Sequence, residues 1–295
     1  MKDWVHIFNH TESQVVLGIL VGFCARIMML RLDYRQYPTQ PHGYIIHLSL
    51  GLIAAGLGAV AVPALIARDW TAITFLSLAA QQFREVRNME RNTLKNLDGM
   101  ELVPRGNTYI EGIAMVFEGR NYLVILTAFV TTIVAVVAGF FWGLAAGILA
   151  LGIDKLLMSG KNISTILQVS EGTLHFKGAN LFVDDIHIMN IGLKESQELI
   201  LQQGLGFILT PINDNSIVTL ANLGQRQAIL HDLSTILGVY RDSGTPSFVP
   251  LSKRNLDDGR LAIFLLPQSK DMKRAMEAIK RVPLLENAVR QAKRA

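Results

Sequence analysis

Apolar residues gather into four long stretches in the first half of the chain, then give way to short alternating segments. Val15–Leu30 is broken only by Arg26, and Tyr44–Ala67 carries Pro63 near its end. A third stretch, from about Ala64 to Phe83, is interrupted by Arg68 and Asp69, and the fourth, Tyr122–Met158, is the longest. A helix that crosses a bilayer needs about 20 mostly apolar residues. The first two stretches therefore read as one crossing each and the third as a weaker one. Tyr122–Met158 is too long for one helix and just long enough for two, with Gly139–Gly143 as the bend; one long tilted helix or a re-entrant pair is the alternative. The first stretch is too long for the core of a simple signal peptide, and Lys2 is offset by Asp3 and Glu12, so it reads as a retained helix.

Basic residues orient these crossings. Arg31 and Arg35 lie between the first two, and Arg84, Arg87, Arg91, Lys95, Arg105 and Arg120 lie between the third and the fourth, leaving Lys2 and Arg68 for the other side. The positive-inside bias then predicts five spans, with the N-terminus outside and the central loop and C-terminal domain in the cytoplasm. If Tyr122–Met158 crosses once, the C-terminal domain moves outside. The expected layout is a helical polytopic membrane domain over 1–160, with an amphipathic central loop over 84–121, followed by a cytoplasmic α+β domain over 161–295. Composition agrees: 50% of residues are apolar and 18% charged, against about a quarter charged in soluble domains. The net charge of +4 is too diffuse for nucleic-acid binding, and the lone Cys24 offers no disulfide framework.

Gly18 and Gly22, Gly139 and Gly143, and Gly143 and Gly147 form GxxxG pairs, which let helices approach closely in lipid and leave room for a homo-oligomer. The ionisable residues in or beside the spans are Arg26, His47 and Asp154, each near a span end, and Arg26 and Asp154 are candidates to pair with each other. In the central loop Arg84, Arg87, Arg91 and Lys95 recur at helical spacing, which suits either a basic strip on anionic headgroups or a solvated helix end. Thr108 and Glu111 have capping-box spacing, and Ile110, Ile113, Ala114 and Phe117 share one helical face. Glu111 is either a helix cap or an acid or base at a desolvated site.

The hexapeptide Tyr109, Ile110, Glu111, Gly112, Ile113, Ala114 matches letter for letter the one that names the YIEGIA family, and Val218–Asp232 also resembles it. The resemblance covers the whole chain. It implies a sporulation-linked integral membrane protein of endospore-forming bacteria, associated with a small capping-type partner subunit.

The C-terminal pattern reads as strands at Asp185–Ile191, Gly206–Ile212, Ser216–Leu223 and Arg260–Leu266, with helices at Leu193–Gln203, Gly224–Leu237 and Asp271–Arg281. Thr173–Lys177 is a further edge strand, and Asp242–Asp258 a Ser/Gly/Pro-rich insertion. This β-α-β-β-α-β order matches the ferredoxin-like plan. No nucleophile, P-loop or zinc motif occurs, His175, His187 and His231 lack metal-ligand spacing, and no cofactor is implied. Asn222, Gly224, Gln225, Arg226 and Gln227 crowd polar groups onto a helix start, either as capping chemistry or as a seat for a partner's carboxylate. The leading expectation is a membrane scaffold or regulator whose cytoplasmic domain binds a small protein. The alternative is a membrane-embedded protease using carboxylates such as Glu111 or Asp154.

Overall fold

The structure, a computed structural model, describes residues 11–36, 41–158, 160–241 and 248–289. Lys2 and Asp3, and residues 242–247 of the expected insertion, lie outside the described residues. Five long helices come first: α1 Thr11–Gln36, α2 Pro41–Ile66, α3 Trp70–Asp98, α4 Asn107–Ala138 and α5 Phe140–Leu157. Four of them hold apolar windows long enough to cross a membrane: Thr11–Asp33, Gly43–Ile66, Asn107–Ala138 and Phe140–Leu157. The third expected crossing, Ala64–Phe83, is not among these four. Ala64 to Ile66 finish α2, the chain turns at Arg68 with φ 54°, and Trp70 opens the 29-residue α3, whose apolar half runs into a basic one. Tyr122–Met158 is divided as its glycines suggest, because Gly139 adopts φ 99° between α4 and α5.

Two compact units emerge, residues 1–91 with 113–159, and residues 92–112 with 160–295. Helices α3 and α4 therefore contribute residues to both.

In the first unit, close contacts fix the helix directions. A Cβ on Gly22 would lie 2.9 Å from Ala55 of α2 and 2.9 Å from Ala128 of α4, and one on Gly51 would strike Arg26. Gly58 sits on the Ile125 carbonyl, Gly143 on Ala135, and Gly147 on Thr131. These pairings make α1 antiparallel to α2 and α4, α2 parallel to α4, and α4 antiparallel to α5. Leu57, Ala61 and Leu65 of α2 share a cleft with Ile73, Leu76 and Ala80 of α3, while His47 meets Glu90, so α3 runs antiparallel to α2. Successive helices thus alternate in direction. Lipid is as apolar as leucine, so such interfaces depend on close backbone approach, which glycine and alanine permit.

The second unit carries two antiparallel sheets. β1 Leu167–Gly172, β5 Leu205–Pro211, β7 Leu261–Leu265 and β6 Leu251–Arg254 form one in the order β1-β5-β7-β6, and β2 Leu174–Lys177, β3 Asn180–Val183 and β4 Ile186–Asn190 form a meander. All five residues of β7 and the first five of β5 are buried, as central strands require. Leu181, Val183, Ile186 and Ile188 join Ile208 and Phe264 in one core. The helices are α6 Lys194–Gln203, α7 Asp214–Ala221, α8 Leu223–Leu237 and α9 Met272–Arg281.

This is not the βαββαβ plan. After residue 160 four strands precede the first α-helix, β1 is an edge strand, and two consecutive helices separate β5 from β6. The expected strand Ser216–Leu223 is helical because the Asn213 side chain accepts a hydrogen bond from the Ser216 N–H at 3.0 Å, capping α7. Within the expected insertion, Leu251–Arg254 forms strand β6.

Candidate functional site

Two clusters of buried polar groups stand out, one in each unit. In the first, the Arg26 side chain is fully buried. Its Nη2 lies 3.0 Å from Asp33 Oδ2, and Asp33 Oδ1 accepts from Arg120 Nη1, so two guanidiniums share one carboxylate. Arg26 and Asp33 are seven residues apart on α1, two helical turns and hence one face. The Arg26 guanidinium also sits 5.0 Å from the Phe117 ring centroid, and the His47 ring lies 4.8 Å from the same ring. His47 Nε2 is 3.5 Å from Glu90, and Arg87 Nη1 donates to Glu118 at 3.0 Å. Buried charges persist where they are paired and hydrogen-bonded, and this cluster ties α1, α2, α3 and α4 at one end of the unit.

Arg26 is therefore paired with Asp33 and not with Asp154. Asp154, on α5, is buried and accepts from Thr127 Oγ1 at 2.8 Å. Of the basic strip, Arg84 is exposed, Arg91 and Lys95 are half-buried, and Arg87 turns toward Glu118.

In the second unit, the Asp98 carboxylate accepts from the N–H groups of Arg105 and Gly106, at 2.7 and 2.8 Å, and closes the loop between α3 and α4. Helix α4 starts at Asn107, and the Gly106 carbonyl accepts from the Ile110 N–H. Thr108 already lies inside the helix, so the expected Thr108–Glu111 capping box does not form and Gly106 takes the cap position. Tyr109 and Ile110 are each 1% exposed. Ile110, Ile113, Ala114 and Phe117 are all buried, as their spacing suggests. Glu111 is half-buried, and a Cβ on Gly112 would lie 2.7 Å from the Asn287 amide.

Helix α8 seats this loop. A Cβ on Gly224 would come within 2.7 Å of the Tyr109 backbone nitrogen. Gln227 Nε2 donates to the Pro104 carbonyl at 2.8 Å, and the His231 Nδ1–H donates to the Val103 carbonyl at 2.6 Å. Gln225 is fully buried, donating to the Pro283 carbonyl and accepting from the Leu285 N–H. The Asn222 side chain caps α8 by accepting from the Gln225 N–H. Burial pushes the Asp232 carboxyl above its ordinary value, partly offset by Arg105, 3.7 Å away, and by His231.

The two segments singled out in the sequence, Tyr109–Gly112 and Asn222–Gln227, thus meet within one unit. Their chemistry divides. Asn222, Gln225 and Gln227 direct their amides to groups of the chain itself, and Gly224 provides space. Arg226 differs: it is half-buried and lies near Arg254 of β6, and burial together with that second cation lowers its affinity for the proton. Among the described residues no group of His, Cys, Asp and Glu is arranged to hold a metal ion. Sequence reasoning missed Asp33 and Asp98; the seven-residue interval between Arg26 and Asp33 was the available signal for the first.

A family described as "YIEGIA protein" matches residues 14–295. The chain belongs to the YIEGIA family. It is also similar to "Uncharacterized protein YphB" of Bacillus subtilis (strain 168), an endospore former, at 55% identity over 290 residues, which covers 98% of this chain and 95% of that relative. No solved structure matches. The hexapeptide that names the family therefore falls where α4 closes the Asp98 loop and packs on Gly224.

Proposed function

We propose that this YIEGIA protein is a five-pass membrane scaffold or regulator, active in sporulation, whose cytoplasmic C-terminal domain binds a small capping-type protein. The observation that carries the reading is the alternation of helix direction in the first unit. Helices α1, α3 and α5 end, and α2 and α4 begin, at the end that holds the Arg26–Asp33–Arg120 cluster. Arg31, Arg84, Arg87, Arg91 and Lys155 belong to that end, and Arg68 to the other. By the positive-inside bias the clustered end is cytoplasmic. Helix α3 is then the fifth pass: it is long enough at about 1.5 Å per residue, and Trp70, Phe75 and Leu78, all exposed, turn apolar surface to lipid. Residues 92–112 and 160–295 follow from this cytoplasmic end. The partner reading rests on Arg226, whose guanidinium Nε is buried and lacks an acceptor among the described residues.

Impermeant thiol labelling tests the topology in a Cys24→Ser background. In intact protoplasts Ala67→Cys is expected to label, while Asn92→Cys and Glu198→Cys label only after permeabilisation. Labelling of Glu198→Cys in intact cells overturns the orientation.

A further inference from the structure

Helix α9, Met272–Arg281, buries Ala275, Ala278 and Ile279 and turns its other side to solvent. Lys273 and Lys280, and Arg274 and Arg281, are each seven residues apart, two helical turns, so the four cations form two neighbouring rows. All four are exposed, with Glu277 between them as the acid of that face. Arg281 meets Glu277 at 3.3 Å, and among the described residues Lys273, Arg274 and Lys280 form no ion pair. Lys280 and Arg281 suit the negative end of the helix dipole, but Lys273 and Arg274 sit in the first turn, where a cation weakens a helix. The stability of α9 therefore does not account for them, and an anion outside the chain would.

The path of the chain points to which anion. Helix α5, long and apolar enough to cross a membrane, ends at Leu156 and Leu157, 86% and 62% exposed. Four residues on, the Lys161 carbonyl accepts from the Leu284 N–H at 3.0 Å, Asn162 pairs with Pro283, and the Ile163 N–H donates to the Val282 carbonyl at 2.9 Å. Four residues reach about 14 Å at full extension, so Leu284, three residues past α9, stays within roughly 20 Å of Leu157. The headgroup layer beyond the hydrocarbon is about 5–8 Å deep, and its field reaches a further ~8 Å at physiological salt. Lipid headgroups are thus the dense anions within range of this tether.

We propose that the outward face of α9 is a docking surface for anionic phospholipid headgroups, with Lys273, Arg274, Lys280 and Arg281 laid against the leaflet from which α5 emerges. This rests on α5 crossing the bilayer and is independent of the partner-binding reading.

The full-length protein in nanodiscs tests it. Glu277→Cys in the Cys24→Ser background places a fluorophore amid the face without removing a cation, and spin-labelled headgroups quench it on contact. Strong quenching is expected in discs holding about 30% phosphatidylglycerol, and weak quenching in pure phosphatidylcholine or in about 0.5 M salt. The docked-to-free ratio should fall roughly fivefold for each cation removed, and further in Lys273→Glu with Arg274→Glu. That double variant places acids in the first turn, which strengthens the helix, so lost quenching at an unchanged unfolding temperature reports undocking. Quenching that is equal in both lipids, indifferent to the double variant, or absent from every disc overturns the docking. An acidic protein cross-linked from position 277 in cells, without quenching in anionic discs, makes the face a protein site and overturns it too. If the chain does not insert into discs at all, the five-pass reading fails first and the docking with it.

Discussion

Replacing Asp33 with asparagine keeps the shape of the buried cluster and removes the carboxylate shared by Arg26 and Arg120. At 3.0 Å and an effective dielectric of about 20, a unit ion pair is worth roughly 5 kcal/mol. The gain is partly cancelled by the cost of drying the ions, but that cost remains once the acid is gone. Breaking such a pair by deleting one partner therefore costs about 3–5 kcal/mol. Here two buried cations lose the carboxylate they share, so a loss within that range is expected. Reversible unfolding in mixed micelles measures the change, and the double variant Asp33→Asn with Arg26→Met isolates the coupling. Removing Arg26 as well should recover more than about 1 kcal/mol, because residues in one network do not behave additively. Strict additivity, or a loss under about 1 kcal/mol for Asp33→Asn alone, would refute the claim that the acid holds this end together.

Gly224→Ala should destabilise the second unit by about 1–3 kcal/mol, since a methyl there meets the Tyr109 backbone and cannot displace a flexible side chain; thermal unfolding followed by limited proteolysis of residues 92–112 reads this, and full tolerance would mean the loop is not seated on α8. Two carboxyls should give pH dependences of opposite sign. Asp185 is held below its ordinary value by the two hydrogen bonds from Arg260, so its contribution is present above about pH 4 and lost as pH falls through the lowered value. On this exposed pair it is worth at most about 1 kcal/mol. Asp232 is raised by burial, so its contribution is full below about pH 4 and lost as pH rises through the raised value. Stability profiles of Asp185→Asn and Asp232→Asn against the parent should flatten the acidic slope in the first and the opposite slope in the second.

The apolar helical half was legible because its signal is long and redundant. Long apolar runs mark its helices, and the break at Gly139 follows directly from the glycines there. The third crossing was harder because α3 is apolar in its first half and basic in its second, so any window long enough to average over it mixes two environments. In the C-terminal half, the β-branched run Ile217, Val218 and Thr219 between turn residues reads as a short strand as readily as a short helix. The Asn213 cap, which selects the helix, acts through one side-chain oxygen. β3 has four residues and β1, though six long, is polar at Gln168, Ser170 and Glu171, and their places are set by pairing with β4 and β5, which lie across a turn or far along the chain. The candidate site was visible as residue types but not as roles. Gln225 and Gln227 looked like free donors, and only the fold shows that they bind Pro283, Leu285 and Pro104.

The one-residue link at Gly139, with φ 99° and ψ 162°, bears on how the protein is made. That backbone region is essentially closed to side-chain-bearing residues, and it joins two of the helices long enough to cross a membrane with no loop between them. With no loop to separate them, α4 and α5 are expected to enter a bilayer together as one hairpin. A tag or protease site inserted at residue 139 would then probe translocation itself, and it should trap the chain with its C-terminal half unassembled.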